Sequence, residues 1–221
     1  TNGCTSMEWF TLAHTAHLWF FFVLVLGIIA LPGMDMAFVL GSTLVNGLRG
    51  GLAAIAGVVV GGAAHTAMAG LGVGLVLQAV PGLMRLLLIA GALYLVWIGV
   101  SLVRGAGALG DVGAAPSRPL AATFRQGLLT CLLNPKAYLF MVAVFPQFVR
   151  PELGAVAVQA LVMGLIIAAT QLVVYGAVAL GGARARSWLR GSGRAQVRAG
   201  QAVGGLLVVG GAWMLCQGWQ A

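Results

Sequence analysis

Acidic side chains are nearly missing from this chain. Its 221 residues hold four Asp and Glu against 12 Lys and Arg, so charged residues make up only 7%. A soluble domain carries about 25% charged residues to cover its water-facing surface. The shortage excludes a soluble enzyme, a nucleic-acid-binding domain and a disordered protein, whatever the net charge of +8 suggests. Cysteine is scarce as well. Cys4, Cys131 and Cys216 lie far apart and form no Cys-x-x-Cys pair, which argues against a redox relay and a thiolate metal site. Also lacking are segments of about ten residues alternating apolar and polar, the mark of a membrane β-barrel.

What is present is apolar length and glycine. Hydrophobic residues make up 61%, and mean hydropathy is +1.02. The 34 glycines sit singly or in pairs inside runs of Val, Leu, Ala and Ile, where small residues let helix backbones approach closely in lipid. The fold class is therefore all-α integral membrane. Residues 9–34, 50–84, 86–103, 153–183 and 199–221 carry no charge, and 126–149 carries only Lys136. At about 20 apolar residues per span, these runs predict six transmembrane helices. The first apolar pattern, 17–48, would make about 48 Å of helix against about 30 Å of hydrocarbon. Because Pro32-Gly33 stands in its middle, a broken first helix is expected.

Eleven of the basic residues are Arg, and their placement predicts orientation. Arg49, Arg104, Arg118, Arg125, Arg184, Arg186, Arg190, Arg194 and Arg198 fall on one side of the spans, with Arg85 and Arg150 on the other. By the positive-inside rule both termini lie outside the cytoplasm. The chain divides into a three-helix half at 1–104, a cytoplasmic linker at 105–121 and a second three-helix half at 122–221. With an odd number of spans in each, a repeat between the halves must be inverted. No basic region precedes the first apolar run, and Met7 reads as a natural start with Thr1–Ser6 upstream of it.

Two fixed charges fall inside predicted spans, each beside a helix breaker: Asp35 in Pro32-Gly33-Met34-Asp35, and Lys136 in Asn134-Pro135-Lys136. A charge at mid-membrane costs at least about 2.5–3.5 kcal/mol, so such a residue reads as functional. The bland alternative is that the two simply pair with one another. Pro32 is as far from Gly51 as Pro135 is from Gly154, and breakers at corresponding places in two halves point to a transporter binding site. A broken helix exposes N–H groups at one cut end and carbonyls at the other. The N–H end together with Lys136 would suit a carboxylate. Asp35 and freed carbonyls would suit an ammonium or a proton, so an α-amino acid matches the set.

These residues carry a resemblance. The stretches 31–35, 47–52 and 57–65, followed by 124–128, Leu133-Asn134-Pro135-Lys136-Ala137 and Phe145-Pro146-Gln147-Phe148-Val149, resemble the LysE/RhtB family of amino-acid exporters over essentially the whole chain. Members commonly read Pro-Gly-Pro-Asp or Pro-Gly-Pro-Asn at the first break, where this chain has Met34. The resemblance implies proton-driven export of amino acids or close derivatives from the bacterial cytoplasm, with no cofactor. The localisation that follows is the inner membrane.

The candidate substrate-binding residues are thus Pro32, Gly33, Asp35, Asn134, Pro135, Lys136, Gln171 and Tyr175, the last two one turn apart in the fifth helix and suited either to lining the pathway or to bonding a neighbouring helix. Asp35 and His65 are candidates for proton coupling. His65 shares a helix face with Gly57 and Gly61; either this face packs on the broken first helix and brings His65 to the site, or His65 only makes an interhelical hydrogen bond. Thr130 either reaches the cavity or bonds its own backbone. His14 and His17 read as interfacial, and Trp19, Trp97, Trp188 and Trp219 as belt residues. Gly200, Gly204 and Gly211 suit either a homodimer seam or packing within the bundle.

Rival classes fit less well. Ser42 and Ser101 lack the Gly-x-Ser-x-Gly setting of a hydrolase. Scattered acids and histidines do not supply a metal-ion exporter. A channel or a scaffold would lack coupled flux. One carboxylate within the spans favours neutral or hydroxylated substrates such as threonine, homoserine or leucine-type amino acids. The alternative is a lysine or arginine exporter, in which freed carbonyls replace a second acid.

Overall fold

A computed structural model describes residues 2–72, 79–108, 119–189 and 193–220, and the regular elements among them are all helical. Helix α1 spans Asn2–Ala30, α2 Met34–Gly70, α3 Pro81–Ala108 and α4 Leu120–Leu132. A short α5, Pro135–Leu139, runs into a π-helical turn at Phe140–Val144 and then α6, Phe145–Phe148. A 3-10 turn at Pro151–Leu153 leads to α7, Val156–Leu189, and α8, Gly193–Gln220. Most of the expected linker, 109–118 with Arg118, lies outside the described residues, as does Arg190.

The breaks follow local chemistry. The ladder of α1 makes a last bond from Leu31 N–H to the Gly27 carbonyl at 3.2 Å, leaves the helix at Pro32-Gly33 and resumes at Met34. Leu132 and Pro135 bracket the second break in the same way. A third interruption had no counterpart in the sequence reading. Gly47 takes φ 69°, ψ −167°, a left-handed φ that costs glycine little, and divides α2 into arms 34–46 and 48–70.

Helices Met34–Gly70, Val156–Trp188 and Val197–Cys216 are each long and apolar enough to cross a membrane. Leu120–Leu132 with Pro135–Phe148, bent by 45°, passes as one broken span, and Ala16–Ala30 and Arg85–Ser101 are shorter apolar helices. These bounds are taken over the described residues, and the Pro32 break joins arm 34–46 to the helix after Gly47.

Burial runs opposite to that of a soluble protein. Phe20, Leu52, Val173, Leu206 and Val209 are exposed, whereas Asp35, His65, Asn134 and Gln171 are buried. An apolar exterior of this extent faces lipid. Trp19, Trp97 and Trp188 are exposed too, as belt residues would be, while the Trp219 and His14 side chains lie outside the described residues.

Small residues set the packing. Helix α2 lies against α4 and α7, and α3 against α8. A Cβ on Gly99 would sit 2.6 Å from the Gly204 carbonyl, and one on Gly204 2.7 Å from the Gly99 carbonyl. A Cβ on Gly211 would lie 2.8 Å from the Ala92 carbonyl of α3. Gly204 and Gly211 are therefore occupied within the bundle rather than at a dimer seam, since each admits an α3 carbonyl that any side chain would displace. The surroundings of Gly200 lie outside the described residues.

Candidate functional site

Four buried threonines first drop out of the polar core. Thr43, Thr66, Thr130 and Thr170 each donate to the carbonyl four residues back, at 2.7–3.0 Å. Thr130 thus bonds its own backbone. What remains buried is Asp35, Asn134, His65 and Gln171, with Thr123 apart from them at a separate small pocket.

Each proline break orphans a carbonyl, and each orphan is taken by a side chain from elsewhere. Pro32 has no N–H, so the Ile28 carbonyl loses its helical donor. Lys136 Nζ donates to it at 3.1 Å and to the Leu31 carbonyl at 3.1 Å. The ammonium thereby caps the negative end of α1, where a cation is favoured. Pro135 leaves the Cys131 carbonyl without its helical donor. Asn134 N–H donates to it at 3.0 Å, and His65 Nε2 donates to it at 3.0 Å. Arg186 performs the same service at the Gly47 kink, donating to the Leu44 carbonyl at 2.9 Å and the Val45 carbonyl at 3.3 Å.

Asn134 connects the two breaks. Its Oδ1 accepts from Lys136 N–H at 3.0 Å, capping α5, and its Nδ2 donates to Asp35 Oδ2 at 3.0 Å. Asp35 itself stands in the first turn of α2, where the helix dipole favours a carboxylate. Asp35 and Lys136 therefore form no direct ion pair, contrary to the simplest structural reading of two charges in the spans. Asparagine takes the carboxylate and freed carbonyls take the ammonium. The carbonyls expected to hold a substrate ammonium are occupied by Lys136.

A cavity of about 600 Å³, counting its mouth, opens between these elements. Asp35, His65, Asn134, Lys136, Gln171 and Tyr175 border it, so six of the sequence-predicted residues meet in one place. Pro32, Gly33 and Pro135 do not line it. They make the breaks, and Gly33 lets the Lys136 ammonium in, since a Cβ there would lie 3.2 Å from Nζ. Tyr175, one turn after Gln171, faces the Asp35 carboxylate. Sequence reading missed the apolar wall formed by Phe140, Met141 and Phe145 around the π-helical turn. The signal for it was Pro146, which cannot continue a regular ladder. The Phe145 N–H reaches back to the Phe140 carbonyl instead, and such turns concentrate at functional sites.

One expectation about His65 is corrected. Its face does not pack on the broken first helix but on α4. A Cβ on Gly57 would strike the Phe124 carbonyl, and one on Gly61 would lie 2.6 Å from Cys131 Cβ. Gly127 of α4 answers from the other side, its added Cβ falling 2.6 Å from the Ala54 carbonyl. Two matched small-residue faces bring the backbones together, which a helix lined with Phe and Leu cannot do. His65 still borders the cavity and meets the Tyr138 ring edge-on at 4.7 Å. His17 stands away from this cavity, against Phe148 at 5.1 Å.

A lipid-facing helical shell around an internal chamber, apolar over most of its wall and bordered by a few buried polar groups, defines the class: a multi-pass membrane protein with an internal cavity. Residues 12–218 match the LysE type translocator family, and the chain belongs to that family. It is similar to the homoserine/homoserine lactone efflux protein of Salmonella typhimurium, with 30% identity over 178 residues covering 80% of this chain and 86% of that one. To the leucine efflux protein of Salmonella choleraesuis it is 28% identical over 195 residues, covering 87% and 91%. An uncharacterized membrane protein of Pseudomonas aeruginosa is 32% identical over 195 residues, covering 86% and 90%. No solved structure matches.

Proposed function

We propose that the protein is a secondary exporter of neutral or hydroxylated amino acids or their derivatives, driven by proton antiport with alternating access to the Asp35 cavity. The observation that carries this reading is the buried Asp35 carboxylate bordering the chamber, with the Tyr175 hydroxyl facing the group, one oxygen bound by Asn134 and the other without a close donor. A proton and a substrate ammonium compete for that oxygen, which is the minimum chemistry of an exchange. His65, with Nδ1 likewise unpartnered, is the second proton-coupling group. Lys136, Tyr138, Cys131 and Tyr175 are the other titratable groups around the pair. One proton charge moving inward is worth about 2.3 kcal/mol per 100 mV, enough for roughly a 40-fold outward gradient of a zwitterion.

Six spans result when α1 with arm 34–46 is counted as a broken first span and arm 48–70 as the second. Helix α3 is then the third, 120–148 the broken fourth, and α7 and α8 the fifth and sixth. Each half, 1–104 and 122–221, then opens on a broken helix, as an inverted repeat requires, and both termini lie outside the cytoplasm of an inner membrane. Homoserine and leucine, carried in the names of two relatives, are neutral, in keeping with one carboxylate in the chamber.

The test is transport in proteoliposomes with an imposed proton gradient. Labelled leucine or homoserine should move against its gradient with the wild type and fail to do so with Asp35→Asn. The reading falls if no amino acid moves, or if Asp35→Asn transports as well as the wild type. Lysine or arginine outcompeting both neutral substrates in counterflow would refute the substrate assignment.

A further inference from the structure

Among the described residues, Thr123 is the one buried threonine whose hydroxyl does not bond its own backbone. The others reach the carbonyl four residues back, which for Thr123 is that of Pro119. That carbonyl already accepts the Ala122 N–H at 2.9 Å and the Thr123 N–H at 3.1 Å, which uses both of its lone pairs. The Thr123 hydroxyl is left without a partner on a residue 2% exposed, and a buried polar group in that condition is costly. It borders a second cavity of about 360 Å³, counting its mouth, between arm 34–46, α3, α4 and α8. Ser42, Asn46 and Gln126 line the same cavity, so its polar side chains are hydroxyls and amides. Among the described residues that line it, none is charged.

Each of those four side chains can donate, and the setting favours an anion. Thr123 stands in the first turn of α4, whose N-terminus has no side-chain cap and carries the positive end of the helix dipole. The Asp35 chamber is the reverse, with a carboxylate on its wall and its lysine ammonium engaged with α1 carbonyls. Arm 34–46 runs from one cavity to the other. Ser42 and Asn46 follow Asp35 by about two and three turns on the same helix face. Arg49 and Arg125, close to Asn46 and Thr123 in the chain, put the second cavity at the arginine-rich end. We infer that Thr123, Ser42, Asn46 and Gln126 form a loading site, which takes the carboxylate of a neutral amino acid on the cytoplasmic side before its ammonium reaches Asp35. The inference rests on the exporter reading of the chamber and on the orientation proposed with it.

The test is initial-rate uptake of labelled leucine into inside-out membrane vesicles, whose outer face is the cytoplasmic one, under an imposed proton gradient. Thr123→Val keeps the shape of the side chain and removes the donor. It should raise KM at least about tenfold and lower the maximal rate by less than about twofold, the pattern of binding lost ahead of the transport step. Thr123→Ser should restore most of the wild-type KM. Thr123→Asp, which sets a carboxylate at the site, should raise KM beyond that of Thr123→Val; a KM no higher would overturn the carboxylate assignment. Without solute, Thr123→Val should melt at or above the wild-type temperature in detergent, because a methyl group replaces an unmatched hydroxyl. An unchanged KM or a lower melting temperature means that the hydroxyl holds an ordered water only, and either overturns the site. A KM effect confined to right-side-out vesicles does so as well. Failure here is separable from failure of the exporter reading. If the wild type moves no leucine, export falls and the loading site with it. If the wild type moves leucine and Thr123→Val does so with the same KM, export stands and the loading site falls.

Discussion

Replacing Lys136 with methionine tests whether its ammonium serves the helix or the solute. In the structure it donates to the Ile28 and Leu31 carbonyls, both at 3.1 Å, and a charged donor contributes about 1.5–3 kcal/mol per hydrogen bond. With water from the chamber mouth taking part of the load, Lys136→Met should cost about 2–4 kcal/mol of stability. The cause is specific: Ile28 needs Lys136 because Pro32 supplies no N–H. Pro32→Ala restores that donor, so in its background Lys136→Met should cost about 1–2 kcal/mol less. The assay is a double-mutant cycle by equilibrium unfolding in mixed micelles, with leucine binding measured on each variant. If Lys136→Met leaves stability unchanged and abolishes binding, the ammonium belongs to the substrate. If its cost is the same with and without Pro32, the orphaned Ile28 carbonyl is not what Lys136 stabilises. Either outcome refutes the argument.

Other outcomes follow from single contacts. Asn134→Ala removes the cap of α5 and the Asp35 donor together and should cost about 2–4 kcal/mol in the same unfolding assay. Gly99→Val drives a branched side chain into the Gly204 backbone and should destabilise by about 1–3 kcal/mol or more, with α3 and α8 exposed together to limited proteolysis. Glu152→Gln breaks an exposed ion pair of 3.7 Å with Arg150 and should shift stability by less than about 1 kcal/mol.

The breaks themselves were readable in the sequence because proline acts on its own backbone. Pro32 and Pro135 end helices wherever the chain goes, and a lone acid and a lone lysine in apolar spans announce a polar interior. The partners were not readable. Which donor reaches Asp35 depends on how two breaks are brought side by side, and Asn134, two residues from Lys136, wins by tertiary placement. Helical periodicity put Gly57, Gly61 and His65 on one face, but a small-residue face is filled by whichever helix has a matching one, here α4 through Gly127. Gly47 was one glycine among 34, and nothing local marked it as the one that takes a left-handed φ inside α2.

The sealing of the two breaks is reciprocal. The carbonyl orphaned after α1 is closed by Lys136 of α5, and the one orphaned at α4 is closed by His65 of α2. The Pro32 break carries no stopper of its own, whereas at the Pro135 break the Asn134 N–H also reaches the Cys131 carbonyl. A displacement of α1 against α5 uncovers the first carbonyl, at about 1–3 kcal/mol until something else bonds it, and a displacement of α2 against α4 leaves the second with its local bond alone. Asn134 stands between both contacts, so the two seals share a hinge pin. An arrangement of this kind resists partial opening and favours discrete states over a continuum, like a double-acting latch that is either engaged on both sides or on neither.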